Sequence, residues 1–196
     1  VTKRFSIGGL VSQPAHHLKG FTLLELISAM VVLGILATLS FPLYSNIRAM
    51  MEGKQCETNL RGLGAGMSAF LADHSGWPQI PPDNNEARKA AGASPQAQEN
   101  SPAGKWIAAL KDYGVPEQNW HCPTVSRQIL TGAKPEASKY KRLDYAPTNF
   151  GLQENPRQWP EHPWFIERGS YHGSGPNLLL ADGTVTNVDK LFQKNR

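Results

Sequence analysis

Cysteine is scarce in this 196-residue chain, which has only Cys56 and Cys122 and no C-x-x-C spacing. Two cysteines cannot make a disulfide scaffold. Charged residues are also few, at 18%. One long stretch nearly lacks them: from Phe21 to Tyr44 (FTLLELISAMVVLGILATLSFPLY) the single charged side chain is Glu25. Internal repeats are absent. No Ser/His/Asp or Cys/His arrangement has a local signature, so no enzyme and no cofactor are expected. Gly62-Leu63-Gly64-Ala65-Gly66 has the look of a phosphate loop. It follows a helical pattern rather than a strand and lacks the Gly-Lys-Ser/Thr ending, which excludes that reading. Close packing against a sheet, or between neighbouring subunits, is the better use of these glycines. The net charge of +4 does not indicate nucleic acid. Lys3, Arg4 and Lys19 lie in the first twenty residues with no acid, which leaves 17 basic against 16 acidic side chains elsewhere.

Residues 1–20 are polar, basic and broken by Gly8, Gly9 and Pro14. The apolar run that follows, 24 residues, would make a helix about 36 Å long, enough to cross a bilayer core of roughly 30 Å. The positive flank predicts a cytoplasmic start and an exported bulk. Beyond Tyr44 the pattern becomes amphipathic without a break. Ile47, Met50, Met51, Cys56, Leu60, Leu63, Met67, Phe70 and Leu71 recur at helical spacing between polar residues. Gly76, Trp77 and Pro78 stop it. One helix is expected from Phe21 to Asp73, its upper half packed on a domain.

Residues 78–101 are rich in Pro, Asn, Ala, Gln and Ser and read as a surface loop. A short helix is expected next, with Ser101 as N-cap, Pro102 at its first position and Gly114 after its end. Trp106, Ile107, Leu110 and Tyr113 would form its buried face. The last third predicts strands at Tyr140–Ala146, Trp164–Arg168, Asn177–Ala181 and Thr184–Val188. Asp182-Gly183 is a two-residue hairpin signal in which both turn positions want positive φ. The fold class is therefore α+β, a long helix on a small, mostly antiparallel sheet.

The most informative stretch is Lys19-Gly20-Phe21-Thr22-Leu23-Leu24-Glu25. A secretory signal peptide places its small cleavage residue after the apolar run, whereas here Gly20 precedes it. An acid five residues into a membrane helix is costly and calls for a function. K-G-F-T-L-L-E-L-I closely resembles the recognition motif of the prepilin family, which comprises type IV pilins and the pseudopilins of type II secretion. That resemblance implies a pilin-like fold and cleavage between Gly20 and Phe21 by a prepilin peptidase. It further implies methylation of the new Phe21 amine and a role for Glu25 in guiding the subunit into a growing filament. Pro42 lies where the family's helix commonly has a proline, and Gly34 is a second weak point that would let the segment unwind locally.

The resemblance touches the other end too. Cys56-Glu57-Thr58-Asn59-Leu60-Arg61, Asp73-His74-Ser75-Gly76-Trp77-Pro78, Cys122-Pro123 and YHGSGPNLLLADGTV are similar to a bacterial subgroup of pilin-like proteins. Its C-terminal signature is His172 followed by Asp182-Gly183. The middle, 79–120, matches nothing recognisable. His172 and Asp182 are candidate metal ligands or a proton-transfer pair. Their plainer reading is a hydrogen bond near the hairpin and a turn residue. No ligand cluster has metal spacing, so no metal is expected, with Asp182 and Asp189 as thin calcium candidates. Cys56 lies about 52 Å up the helix from Phe21 and clear of the membrane. It could pair with Cys122, closing a loop of roughly 65 residues worth about 4 kcal/mol, or both could be buried free thiols. Trp77, Trp106, Trp120, Trp159 and Trp164 are core or contact residues on the plain reading and a binding groove on the other.

Three regions follow: a leader at 1–20 that would be cleaved, a transmembrane or filament-core helix at 21–44, and an exported domain at 45–196. The expected function is a structural subunit of a type IV pilus-type filament, as pseudopilin or pilin. The alternative is an envelope binding protein that displays a ligand-binding domain on the same anchor. Expected partners are other copies or other pilins and pseudopilins, the prepilin peptidase, the inner-membrane assembly machinery and membrane lipid. The expected location is the bacterial inner membrane, in a single pass.

Overall fold

The computed structural model describes residues 20–84, 86, 94–133, 141–151, 154–172 and 175–194. The stretch before Gly20, part of the 78–101 segment and Tyr140 therefore lie outside the described residues. The chain divides into two compact units, Val1–Leu43 and Tyr44–Arg196.

Helix α1 runs from Leu23 to Asp73. It starts two residues later than expected because Thr22 caps it. Glu25 N–H donates to Thr22 Oγ1 at 3.3 Å, and Thr22 N–H donates to Glu25 Oε2 at 2.8 Å. This reciprocal pair satisfies two amides that a helix start leaves unpartnered. In the first unit the helix is bare: Leu23, Met30, Leu33 and Leu39 are all more than 60% exposed. Gly34 has no neighbour within 4 Å of a built Cβ. Pro42 falls within the range of α1, and its side chain is outside the described part.

In the second unit, burial along α1 begins at Glu52 and continues through Cys56, Asn59, Leu60, Leu63 and Met67. Ile47, Met50 and Met51, expected on the buried face, are exposed instead. At 100° per residue they point about 100° or more away from Glu52, off the buried side of the helix. Further up, the three glycines let other segments come close. A Cβ on Gly62 would meet Asn119 Nδ2 at 2.8 Å, one on Gly64 Leu179 Cδ2 at 2.6 Å, and one on Gly66 would overlap the Val115 side chain.

Helix α2, Pro95–Asn100, occupies the segment read as loop. It has no buried residue and hence no apolar period to betray it. Its start is capped by Ser94, whose side chain accepts from Ala97 N–H. Helix α3, Pro102–Lys111, has Ser101 as N-cap and buries Trp106, Ile107 and Leu110 as expected. Tyr113 lies past its end, partly exposed and near His74, and Gly114 has φ of 78°. A 3-10 turn, Glu117–Trp120, and helix α4, Pro123–Leu130, follow.

Strands β1 (Tyr145–Pro147), β2 (Pro163–Glu167), β3 (Asn177–Leu180) and β4 (Val185–Asn187) form an antiparallel meander in chain order. The last turn differs from the expected two-residue form. Among the described residues no non-glycine has positive φ, so Asp182 does not, while Gly183 has φ of 84°. Gly183 N–H donates to Leu180 O, and Leu180 N–H to Thr184 O. The loop thus has three residues, closed by a glycine in the left-handed region. Asp182 Oδ1 accepts from Thr184 N–H at 2.8 Å. Strand β4 ends at Asn187, and helix α5, Val188–Lys194, replaces the last expected strand residue.

The core is an aromatic cluster between α1, α3 and the sheet. Trp77 lies edge-on to Trp106 (6.1 Å) and Trp164 (5.7 Å), and Trp120 packs on Phe165 (5.8 Å). Trp159 alone among the five tryptophans is exposed, at 59%.

Candidate functional site

Two places concentrate the chemistry. The first is the start of α1. Glu25 completes the helix cap described above and also accepts from the Thr22 hydroxyl at 3.0 Å. Gly20 and Phe21 precede the helix outside any regular element, with Phe21 90% exposed. From Leu23 on, α1 is long and apolar enough to cross a membrane, with mean hydropathy 2.2 over its most apolar window and none of that window buried.

The second place is buried in the folded domain. Cys56 on α1 and Cys122, the N-cap of α4, are both free, with their sulfurs 3.0 Å apart. His172 Nε2 lies 3.2 Å from Cys56 Sγ and 3.8 Å from Cys122 Sγ. The same nitrogen lies 3.4 Å from Glu167 Oε1 at the end of β2. Glu167 is fully buried, and its other oxygen accepts from Asn177 N–H and Nδ2–H at 3.1 and 2.8 Å. The two thiols share a proton unequally. Cys56 is pushed up by its bond to Cys122 and by burial. Cys122 is lowered to about 7, chiefly by the bond from Cys56, with help from the Val125 amide and His172 and against its burial.

The His172–Asp182 pairing does not form, since His172 joins the cysteines while Asp182 stays in its turn. Asp189 lies beside Gly175. Among the described residues neither aspartate joins a group of three or more ligand-type side chains. Sequence reading singled out Cys56 and Cys122 as a possible pair and His172 apart from them, but missed Glu167, as well as the cap role of Thr22. Glu167 had no local signal, since it falls at the end of an ordinary strand pattern. Thr22 had one: the T-x-x-E spacing was there to be seen.

A charged clamp holds the lower edge of the domain. Glu52 receives Arg127 Nε and Nη2 at 2.9 and 3.1 Å, Thr124 Oγ1 at 2.7 Å and Arg48 Nε at 3.1 Å. These contacts, Arg127 first, hold its carboxyl down to about 2 against partial burial. A lowered carboxylate stabilises the fold above its unfolded pKa, and that stability is lost as pH falls towards the folded value. Urea melts should therefore show wild type losing up to about 3 kcal/mol more than Glu52→Gln between pH 6 and pH 2. Solvent at Arg127, 40% exposed, reduces that figure. Parallel losses in the two proteins would remove the clamp.

A family profile described as "Prokaryotic N-terminal methylation motif" matches residues 17–41, which bracket the capped helix start. The start of the chain thus carries a prepilin-type methylation motif. The chain is 27% identical over 112 residues to the type IV major pilin protein PilE of Neisseria gonorrhoeae, covering 57% of this chain and 61% of that one. It is 28% identical over 112 residues to PilE1 of the same organism, covering 57% of each. The match thus spans about three fifths of the relatives' length. No solved structure matches the chain.

Proposed function

We propose that this chain is a prepilin, a structural subunit of a type IV pilus-type filament, held in the inner membrane by residues 21–44 until it polymerises. The observation that carries this reading is the bare apolar half of α1: no side chain of its most apolar window is buried by the chain itself. So large an uncovered surface must be covered by lipid or by other copies. The basic stretch before Gly20 supports a cytoplasmic N-terminus. Cleavage by the prepilin peptidase between Gly20 and Phe21 would leave a cationic amine on Phe21, which is then methylated. The exposed chain at these two residues, outside the helix, is accessible to a peptidase.

Assembly follows from charge. If the amine of one subunit meets the Glu25 carboxylate of its neighbour at about 4 Å, the attraction is roughly 4 kcal/mol at an effective dielectric of 20. Desolvation offsets much of it, so the pair fixes register more than it adds stability. Residues 45–196 would be the exported domain. Relatives named as major pilins favour a pilin over a pseudopilin of type II secretion. The alternative of an anchored binding protein is less well supported. Four of the five tryptophans are buried in the core, and a groove of about 790 Å³ between α3 and Lys141 has no aromatic lining.

The intact mass of the chain in material sheared from native cells tests the proposal. A mass for residues 21–196 plus one methyl is expected. An uncleaved chain confined to membranes would overturn it.

A further inference from the structure

We infer that Cys56, Cys122, His172 and Glu167 form a structural zinc site that ties α1 to the sheet. The donors come from four separate segments: the middle of α1, the N-cap of α4, the end of β2 and the loop before β3. One ligand atom from each lies within 4.8 Å of every other.

The geometry suits a tetrahedral ion. Zinc bonds of about 2.3 Å to sulfur and about 2.0–2.2 Å to nitrogen or oxygen put two sulfurs about 3.8 Å apart and sulfur and nitrogen about 3.5 Å apart. The observed separations are 3.0 Å between sulfurs and 3.2 and 3.8 Å from sulfur to His172 Nε2. Spreading the sulfurs by less than ~1 Å would admit the ion.

The chemistry agrees. Two thiolates and an imidazole select a soft or borderline cation rather than calcium or magnesium, and four protein donors make a closed, structural site. Glu167 gives the independent pointer. Its Oε1 is buried and accepts no hydrogen bond, although it faces the other three donors. Among the described residues its only ion-pair contact is His172. A buried carboxylate so placed is costly unless a cation completes its surroundings.

Supporting contacts orient the donors, as outer partners do in metal sites. Asn177 holds Glu167 by two hydrogen bonds to Oε2, which turns Oε1 inward. Asp144 Oδ2 accepts from Cys122 N–H at 2.7 Å. Gly53 lies beside the imidazole, where a Cβ would be in ordinary van der Waals contact with His172 Cγ at 3.5 Å.

The test uses the full chain, purified anaerobically in detergent without chelator. About one zinc ion per chain is expected by elemental mass spectrometry. Replacement by cobalt(II) should give the intense visible bands of a tetrahedral thiolate site. Because Cys122→Ser could unfold the domain, His172→Gln serves as the ligand variant and should lose both signals. Asn177→Ala keeps all four donors and should weaken zinc binding by about 10- to 100-fold. Two results overturn the site outright, and a third removes its fourth donor. One is an intact mass lower by two hydrogens with no thiol reactive after unfolding, which identifies a Cys56–Cys122 disulfide. The other is a chain with both thiols reduced that neither retains zinc nor develops cobalt bands. Unchanged zinc affinity in Asn177→Ala would remove Glu167 from the ligand set and overturn the four-donor site.

Discussion

Glu25→Ala is expected to abolish incorporation into filaments while leaving cleavage after Gly20 largely intact. The structure adds a complication and a way through it. Glu25 also closes the cap of its own helix through Thr22, so the alanine variant removes a charge and a cap together. Glu25→Gln separates them. Glutamine serves as the third residue of a capping box as glutamate does, but carries no charge. Thr22→Ala does the reverse, weakening the helix start by about 0.5–2 kcal/mol while keeping the carboxylate. If charge pairing with the Phe21 amine drives assembly, Glu25→Gln fails like alanine and Thr22→Ala still makes filaments. Shearing, then quantifying the chain in the sheared and membrane fractions, reads all three. Normal filaments from Glu25→Gln would leave capping as the acid's role.

The second large effect is in the core. Trp106→Ala should destabilise the domain by about 3–5 kcal/mol, a large part of the whole for a domain of this size. Trp106 is fully buried and touches Trp77 and Trp120. Its Nε1 has no hydrogen-bond partner, so the loss is one of packing. Trp106→Phe should accordingly recover most of the stability. Trp159→Ala, at an exposed site, should change it by less than about 0.5 kcal/mol. Chemical denaturation followed by circular dichroism compares them, and equal losses in the alanine and phenylalanine variants would contradict the packing account.

Much of the fold was legible because its signals are local. The apolar run, the helical spacing up to Asp73, and the Ser101-Pro102 start of α3 each lie within one turn or one helix. The Asp182-Gly183 signal marked the right place with the wrong turn type, since the glycine alone takes positive φ. Helix α2 was hidden because a short helix with no buried face has no period. Ile47, Met50 and Met51 misled for another reason: their steps are helical, but they lie off the side of α1 on which Glu52 and Cys56 are buried. The buried donor cluster was illegible as a group. His172 and Cys56 are 116 residues apart, and Glu167 looks like any polar residue ending a strand. Spacing rules detect ligands only when one loop supplies them.

The glycines of α1 do more than permit close contact. Gly62, Gly64 and Gly66 each meet a different neighbour: Asn119, Leu179 and the Tyr113–Val115 segment. Together they work as a keyway that sets the azimuth at which the domain sits around this part of the helix axis. A slip by one residue would turn the helix by about 100° and present Leu63 or Ala65 where only a hydrogen fits. Larger residues at these sites would then do more than loosen the fold. They would re-clock the domain about its own helix and change which face it turns to its surroundings.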